Sequence, residues 1–316
     1  IPRGDYPSYA AAQVRELVER YRPSVLWNDI AWPAVGKDLW PLFADYYRAV
    51  PDGVVNDRWM PWSPILGAAR SERVRKVADS LNARSTRANR GIIPPKPPHF
   101  DCQTPEYTVF DDVRRLPWEC VRGMDRSFGF NRASRPEHFL TGDELIDTAA
   151  DITAKGGNLL LNVGPRGEDA QIPDEQLALL DVLARWTGGP GSTMFGSRPW
   201  VRPVGECRTV SSGAPTPTSS PSGSASTARA SELTTTVPVR FWAADRHVDV
   251  AVLGRVDGLV RLVDVVATPT TGVTLGGTDT PLDWSIDRGG LVVDLGSVPV
   301  NRPVLRLHDV ISAPVD

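Results

Sequence analysis

Twice in its first 60 residues the chain passes from a helical pattern into a two- or three-residue apolar strand that ends abruptly on polar side chains. Ala10, Val14, Leu17, Val18 and Tyr21 recur at i, i+4, i+7, i+8 and i+11, one face of an amphipathic helix. Arg22-Pro23 ends it, because the residue before a proline is pushed out of the helical region. Val25-Leu26-Trp27 then reads as a short buried strand and gives way to Asn28-Asp29. A second helix over about 37–50 turns Leu39, Leu42, Phe43, Tyr46, Tyr47 and Val50 inward. It leads to Val54-Val55 and then to Asn56-Asp57-Arg58-Trp59. Helices alternating with strands that have no wet face imply a parallel sheet.

The alternation resumes downstream. Thr141-Gly142-Asp143-Glu144 is a capping box that opens a helix carrying Leu145, Ile146, Ala149, Ala150 and Ile152, and Gly156-Gly157 closes it. A strand over Asn158 to Val163 follows, and Pro173 starts a last helix in which Leu177, Leu180 and Leu183 are spaced to face a core. Between Met60 and Phe100 the periodicity fails, which marks an insertion: Arg70 to Ala83 fits a basic surface helix and Ile92 to His99 an extended proline-rich run. From Gly205 to about Thr235 the chain is Ser, Thr, Pro, Gly and Ala, too little apolar surface to offset ordering entropy. Beyond it, alternating segments such as Val248-Asp-Val-Ala-Val-Leu253 and Leu291-Val-Val-Asp-Leu295, separated by turn residues, predict a small antiparallel β-sandwich.

Composition narrows the chemistry. With 316 residues, 41% of them hydrophobic, the chain can fill a sizeable core. A net charge of -3 without a basic stripe argues against nucleic acid as partner. Three cysteines form no CxxC and four histidines show no zinc spacing, so no metal is expected. The longest apolar runs fall short of a membrane span.

In a barrel of alternating strands and helices, reactive side chains sit on the loops that leave the strands' C-terminal ends. Asp29 and Arg58 meet that condition, and Glu106, in the polar segment Phe100 to Tyr107, supplies a second carboxylate near the aromatics Trp118 and Phe128. Paired carboxylates with aromatic platforms suit glycoside hydrolysis, where one group protonates the leaving oxygen and the other attacks or activates water at the anomeric carbon. A single carboxylate at a strand end is more often a helix cap or surface charge, so the pattern alone stops there.

Six longer motifs carry the reading further: Val25-Leu-Trp-Asn-Asp-Ile-Ala-Trp-Pro33, Val55-Asn-Asp-Arg-Trp59, Thr104-Pro-Glu-Tyr107, Ser127-Phe-Gly-Phe-Asn131, Lys155-Gly-Gly-Asn-Leu-Leu-Leu-Asn-Val-Gly-Pro165 and Ser197-Arg-Pro-Trp200. In this order they resemble glycoside hydrolase family 29, the α-L-fucosidases. The resemblance implies an α/β fold: the C-terminal part of a (β/α)8-like TIM barrel over residues 1–200, with the insertion at about 60–100. A C-terminal β-sandwich over residues 201–316 would follow, containing a disordered Ser/Pro-rich loop at about 205–235. By the same resemblance Asp29 is the nucleophile, Trp27 lines the pocket, and Arg58 and Phe128 contact fucose. Glu106 is the acid/base residue, with Glu119 of Pro117-Trp118-Glu119 as the second choice. The implied reaction is retaining hydrolysis of terminal α-L-fucosides by double displacement, with carboxyl groups about 5 to 5.5 Å apart and no cofactor. The partner is a fucosylated glycan or fucoside. The family's upstream strands and sugar-binding histidine pair have no counterpart in this sequence, which implies as the alternative an inactive truncated fragment or a carbohydrate-binding remnant. Lys155-Gly156-Gly157 precedes a strand rather than a helix, so it is no phosphate loop; Trp200 and Trp242 are expected to pack the barrel against the sandwich.

Overall fold

The computed structural model describes residues 6–29, 31–34, 36–61, 72, 76, 91–93, 96–210, 234–244, 246–278, 280–287, 290–296 and 300–313. Two compact units divide the chain, one of residues 1–132 with 157–164, the other of residues 133–156 with 165–316.

In the first unit, α1 (Tyr6–Tyr21) precedes β1 (Val25–Leu26), and α2 (Leu39–Ala49) precedes β2 (Val54–Val55). The two strands pair in parallel, Val25 with Val54 and Leu26 with Val55. Farther along, β3 (Trp118–Gly123) pairs in parallel with β4 (Gly157–Asn162). An extended segment over residues 101–107 joins the two pairs. On one side, the Asp101 and Cys102 amides donate to the Val55 carbonyl at 2.8 and 3.2 Å. On the other, Gln103 donates to Pro117, Glu119 to Gln103, Val121 to Pro105 and Tyr107 to Val121, all at 2.8 to 3.0 Å. The result is five parallel extended segments in the order β1, β2, 101–107, β3, β4, the barrel wall that the sequence predicts plus one strand that it hides. Gln103-Thr104-Pro105-Glu106 contains no apolar run, and Pro105 looks like a strand breaker. Here the ladder uses only the proline's carbonyl, so its missing N–H costs nothing.

The core of this unit gathers Val18, Leu26, Leu39, Leu42, Phe43, Tyr46, Val55 and Trp59. Tyr46 is fully buried; its hydroxyl lies 3.0 Å from the carbonyls of Pro23 and Ser24 and accepts the Val54 amide at 3.0 Å, so one side chain ties α2 to both strands. The inward face of α1 is narrower than its periodicity suggests. Ala10, Val14 and Val18 pack against the core, whereas Leu17 and Tyr21 are 50% and 69% exposed. Leu17 lies about 100° around the helix from Val18, outside the line that meets the core. The insertion expected at about 60–100 falls mostly outside the described residues, including the helix expected over Arg70 to Ala83.

In the second unit, α3 (Gly142–Ala154) begins with the expected capping box: Thr141 Oγ1 accepts from the Glu144 amide at 3.2 Å, and Glu144 Oε2 accepts from the Thr141 amide at 2.7 Å. The helix α4 (Asp174–Thr187) buries Gln176, Leu179 and Trp186, while Leu177 is 46% exposed. The expected Leu177, Leu180, Leu183 stripe is thus rotated by about one residue, because the indole of Trp186 is the largest apolar group on the helix and sets which face turns inward. The remaining strands are β5 (Arg198–Val210), β6 (Thr234–Ala244), β7 (His247–Val252), β8 (Arg255–Val256), β9 (Leu259–Leu262) and β10 (Val265–Leu275). They continue with β11 (Thr280–Pro281), β12 (Trp284–Asp287), β13 (Gly290–Asp294), β14 (Val300–Asn301) and β15 (Val304–Ser312).

Nine of these strands form one antiparallel sheet in the order β11-β10-β15-β7-β6-β5-β9-β13-β12. It closes over a core of Val239, Phe241, Val250, Leu262, Leu291, Val293, Leu305 and Leu307, residues from both ends of the strand order, which is the sandwich arrangement. The long strand β5 joins the halves, pairing with β6 along one edge and with β9 along the other. The ends of the stretch expected to be a loop are strand, since β5 runs to Val210 and β6 starts at Thr234; residues 211–233 lie outside the described residues. On the sheet's other face, Trp242, Ala251 and Val304 pack against Ile146, Ala150 and Ala154 of α3 and Trp186 of α4. Arg302 holds the same helix, reaching Asp143 at 2.8 Å and Asp147 at 2.6 Å. Trp200 stacks on Phe241 with ring centroids 5.1 Å apart. Both tryptophans therefore pack inside this unit.

Candidate active site

The site is assembled towards the C-terminal ends of β1, β2 and the 101–107 segment: the apolar pairs of β1 and β2 give way to Asn28-Asp29 and Asn56-Asp57-Arg58, and the third segment contributes Thr104-Pro105-Glu106. Once the parallel ladder stops, side chains take over its hydrogen bonds. The Asn28 amide donates to Asn56 Oδ1 at 3.0 Å and Asn56 Nδ2 donates to the Asn28 carbonyl at 2.8 Å, so the wholly buried Asn56 carboxamide acts as one more rung between β1 and β2. Asn28 Nδ2 in turn donates to the carbonyls of Arg58 and Ala31 at 3.0 and 3.1 Å. Four hydrogen bonds thus fix the residue immediately before Asp29.

Arg58 is the centre of the arrangement. Its side chain is 8% exposed, and its Nε donates to Thr104 Oγ1 at 2.8 Å while Nη2 donates to the Thr104 carbonyl at 2.9 Å. The remaining nitrogen, Nη1, donates to both carboxylates: to Asp29 Oδ1 at 3.4 Å and to Glu106 Oε1. Two acceptors on one nitrogen lie within about 6 Å of each other, since each hydrogen bond spans about 3 Å. Thr104 is anchored from behind, its amide and hydroxyl both donating to Oδ1 of the buried Asp57 at 3.0 and 2.6 Å.

Glu106 is fixed through its backbone as well. Its amide and carbonyl pair with Ile92 at 2.7 and 2.8 Å, an antiparallel bridge on the side away from β3. The neighbouring Gly91 has φ +61°, and a Cβ there would meet the Glu106 carbonyl, so the close approach requires glycine. Tyr107, at φ +54°, is left-handed, a strained conformation for an aromatic residue, and burial raises its phenol above the ordinary range. Its ring packs on Phe128 at 4.9 Å, the Arg122 guanidinium lies 5.6 Å from its centroid, and Asn162 Nδ2 donates to the Phe128 carbonyl.

Of the residues singled out in the sequence, Asp29, Arg58 and Glu106 are brought into direct hydrogen-bond contact, and Phe128 adjoins them through Tyr107. Trp27 stands at the end of β1, 36% exposed, and no hydrogen bond or ring pairing ties it to the other four among the described residues. Glu119 sits elsewhere: Val121 is bridged to Glu106, so Glu119 lies two residues, or about 7 Å, nearer the start of β3. Burial raises its carboxyl above the ordinary range. Sequence reasoning missed Asn28, Asn56, Asp57 and Thr104 as builders of the site. The available signal was the repeated polar pair that follows each buried strand.

Comparisons with known proteins point to one family. A family model described as alpha-L-fucosidase matches residues 2–192. A putative α-L-fucosidase of Caenorhabditis elegans is 27% identical over 204 residues, 62% of this chain and 36% of that protein. The tissue α-L-fucosidase of Bos taurus is 25% identical over 301 residues, 91% of this chain and 50% of that protein. Among solved structures, an α-L-fucosidase superimposes with a TM-score of 0.67 at 30% identity, covering 96% of this chain and 56% of that one. Thermotoga maritima α-fucosidase in complex with fucose gives 0.64 at 30% identity, covering 96% and 56%. This chain thus spans about half or less of the curated relatives it matches, but the match takes in every residue of the Asp29, Arg58, Glu106 cluster: the chain belongs to the α-L-fucosidase family.

Proposed function

We propose that this chain carries the catalytic carboxylates of a retaining α-L-fucoside hydrolase. The observation that carries the reading is the single guanidinium nitrogen of Arg58 held between Asp29 and Glu106 at the strand ends. A spacing within about 6 Å is compatible with the 5 to 5.5 Å of retaining enzymes and leaves little room for the attacking water of an inverting one.

Asp29, 74% exposed at its side chain, is the nucleophile that attacks the anomeric carbon and forms a fucosyl ester. Glu106, 17% exposed, protonates the departing oxygen and then takes the proton from the water that cleaves the ester. Arg58 holds the Asp29 and Glu106 carboxylates beside the anomeric centre, and Phe128 and Trp27 offer faces to the sugar's C–H surface. The substrate class is fucosylated glycans or simple fucosides.

The test is hydrolysis of a chromogenic α-L-fucoside, followed beside Asp29→Ala. Turnover abolished by the substitution supports the assignment. No fucoside turnover, with fucose still bound in calorimetry, favours a carbohydrate-binding role and overturns the hydrolytic one.

A further inference from the structure

We infer that Thr104, backed by Asp57, is the positioning residue that occupies the Nε–Nη2 edge of Arg58 and keeps that edge from forking onto either carboxylate. This rests on the hydrolase reading above for its consequence, but not for its geometry.

A guanidinium beside two carboxylates has a strong alternative available, a bidentate pair with one of them. Here the side-on form of that alternative is blocked. Nε and one N–H of Nη2 point backwards to Thr104, at 2.8 and 2.9 Å, which takes up the edge that makes the side-on fork, and Nη1 reaches the carboxylates. The polarity of the relay is fixed by its chemistry. An ionised Asp57 can only accept, so the single Thr104 hydroxyl proton goes to Asp57 Oδ1 at 2.6 Å and the oxygen's lone pairs are left to receive Arg58 Nε–H. Asp57 is 1% and Thr104 0% exposed, so water cannot replace either partner.

The consequence falls on the acid. An arginine forked onto Glu106 would stabilise the carboxylate and lower its proton affinity, the wrong direction for a group that must protonate a leaving oxygen. Among the described residues, the charged or titratable groups at Glu106 are Arg58 and Asp29 from the strand ends and Tyr107 on its own segment, with Arg122 over the Tyr107 ring. Arg58 is the cation bonded to the carboxylate, so Thr104 acts on Glu106 through the mode of that contact.

Thr104→Val, which keeps the shape and removes the hydroxyl, is compared with Thr104→Ser, which keeps the hydroxyl. Two readouts separate the claims. The hydrogen-bonded Arg58 Nε–H resonance, assigned by its disappearance in Arg58→Lys, should shift in Thr104→Val, where it loses its hydroxyl acceptor, and return to the parent position in Thr104→Ser. For fucoside hydrolysis, Thr104→Val should lower kcat/KM by about tenfold to a hundredfold, the range that misplacement of a catalytic group by about 1 Å produces. The alkaline limb of its pH profile should move to lower pH, because a second hydrogen bond from arginine favours the carboxylate. Thr104→Ser should recover most of both. An unchanged Nε–H signal in Thr104→Val, or a lowered melting temperature with the pH profile unmoved, overturns the positioning role and leaves Thr104 as packing. Absence of turnover in the unsubstituted chain overturns the hydrolase reading alone, because the resonance still decides where Thr104 holds Arg58.

Discussion

Asn56 offers a direct test of how the site is built, because its side chain does a job normally done by backbone. Asn56→Ala removes both bonds to Asn28, the 3.0 Å bond from its amide and the 2.8 Å bond to its carbonyl, and leaves both groups without a protein partner. A buried polar group left unpaired costs about 1–3 kcal/mol, but Asn28 is only half-buried and water can partly replace the lost partner, so the low end applies to each. The expected loss is about 2 to 3 kcal/mol, a substantial part of the 5 to 15 kcal/mol typical of a domain. In urea unfolding followed by tryptophan fluorescence, the midpoint should fall with the slope unchanged, since the folded and unfolded surfaces are nearly the same. Turnover should fall more steeply than stability, because Asn28 immediately precedes the proposed nucleophile and a drift of about 1 Å there costs on the order of a hundredfold. Asn56→Asp divides the effect: it still accepts from the Asn28 amide, yet sets a buried carboxylate against the Asn28 carbonyl, and should be at least as destabilising as the alanine. An Asn56→Ala chain with unchanged midpoint and unchanged turnover would refute the clamp.

Two further outcomes follow from the packing and the buried acid. Glu119 has its carboxyl raised by burial, so the folded state holds that proton more tightly than the unfolded chain; its contribution is present in full below the unfolded value and is lost as pH rises through the folded one. Glu119→Gln should therefore gain stability relative to the parent as pH rises above about 4, with the two converging in acid, and an equal difference in acid and at neutral pH would contradict this. Trp242 is fully buried between the sheet and the helices α3 and α4, so Trp242→Ala should cost about 3 to 5 kcal/mol in the thermal unfolding of that unit. A loss below about 1 kcal/mol would mean that the cluster collapses around the gap.

What the sequence disclosed and what it hid divide by the kind of force that decides each element. Leu39, Leu42, Phe43 and Tyr46 line up at helical spacing and are all buried in α2, because one apolar face meeting one core is a local pattern. The Thr141 to Glu144 capping box was equally legible, since its bonds close within four residues. The extended segment that carries Glu106 was not, because it becomes a strand through backbone bonds to partners on both sides that are remote in sequence. Likewise α1 and α4 were readable as helices but not in which side chains they bury, a choice made by their neighbours.

The candidate site repeats the division with a difference. Asp29 and Arg58 stood out individually as charged groups after buried strands and Glu106 as a carboxylate in a polar segment, whereas the residues that hold them, Asn28, Asn56, Asp57 and Thr104, carry no pattern beyond being polar. Their function exists only in the pairing of strand ends. Asn56 replaces a rung, Thr104 restrains a guanidinium, and Asp57 orients a hydroxyl, each across at least 28 residues of chain. A parallel wall makes this possible: all its strands finish on the same side, so short polar segments distant in sequence meet there after the apolar residues have been used for packing. The same geometry explains why Arg58 can serve two carboxylates at once, since β1 and the 101–107 segment flank β2 and deliver Asp29 and Glu106 to opposite sides of it.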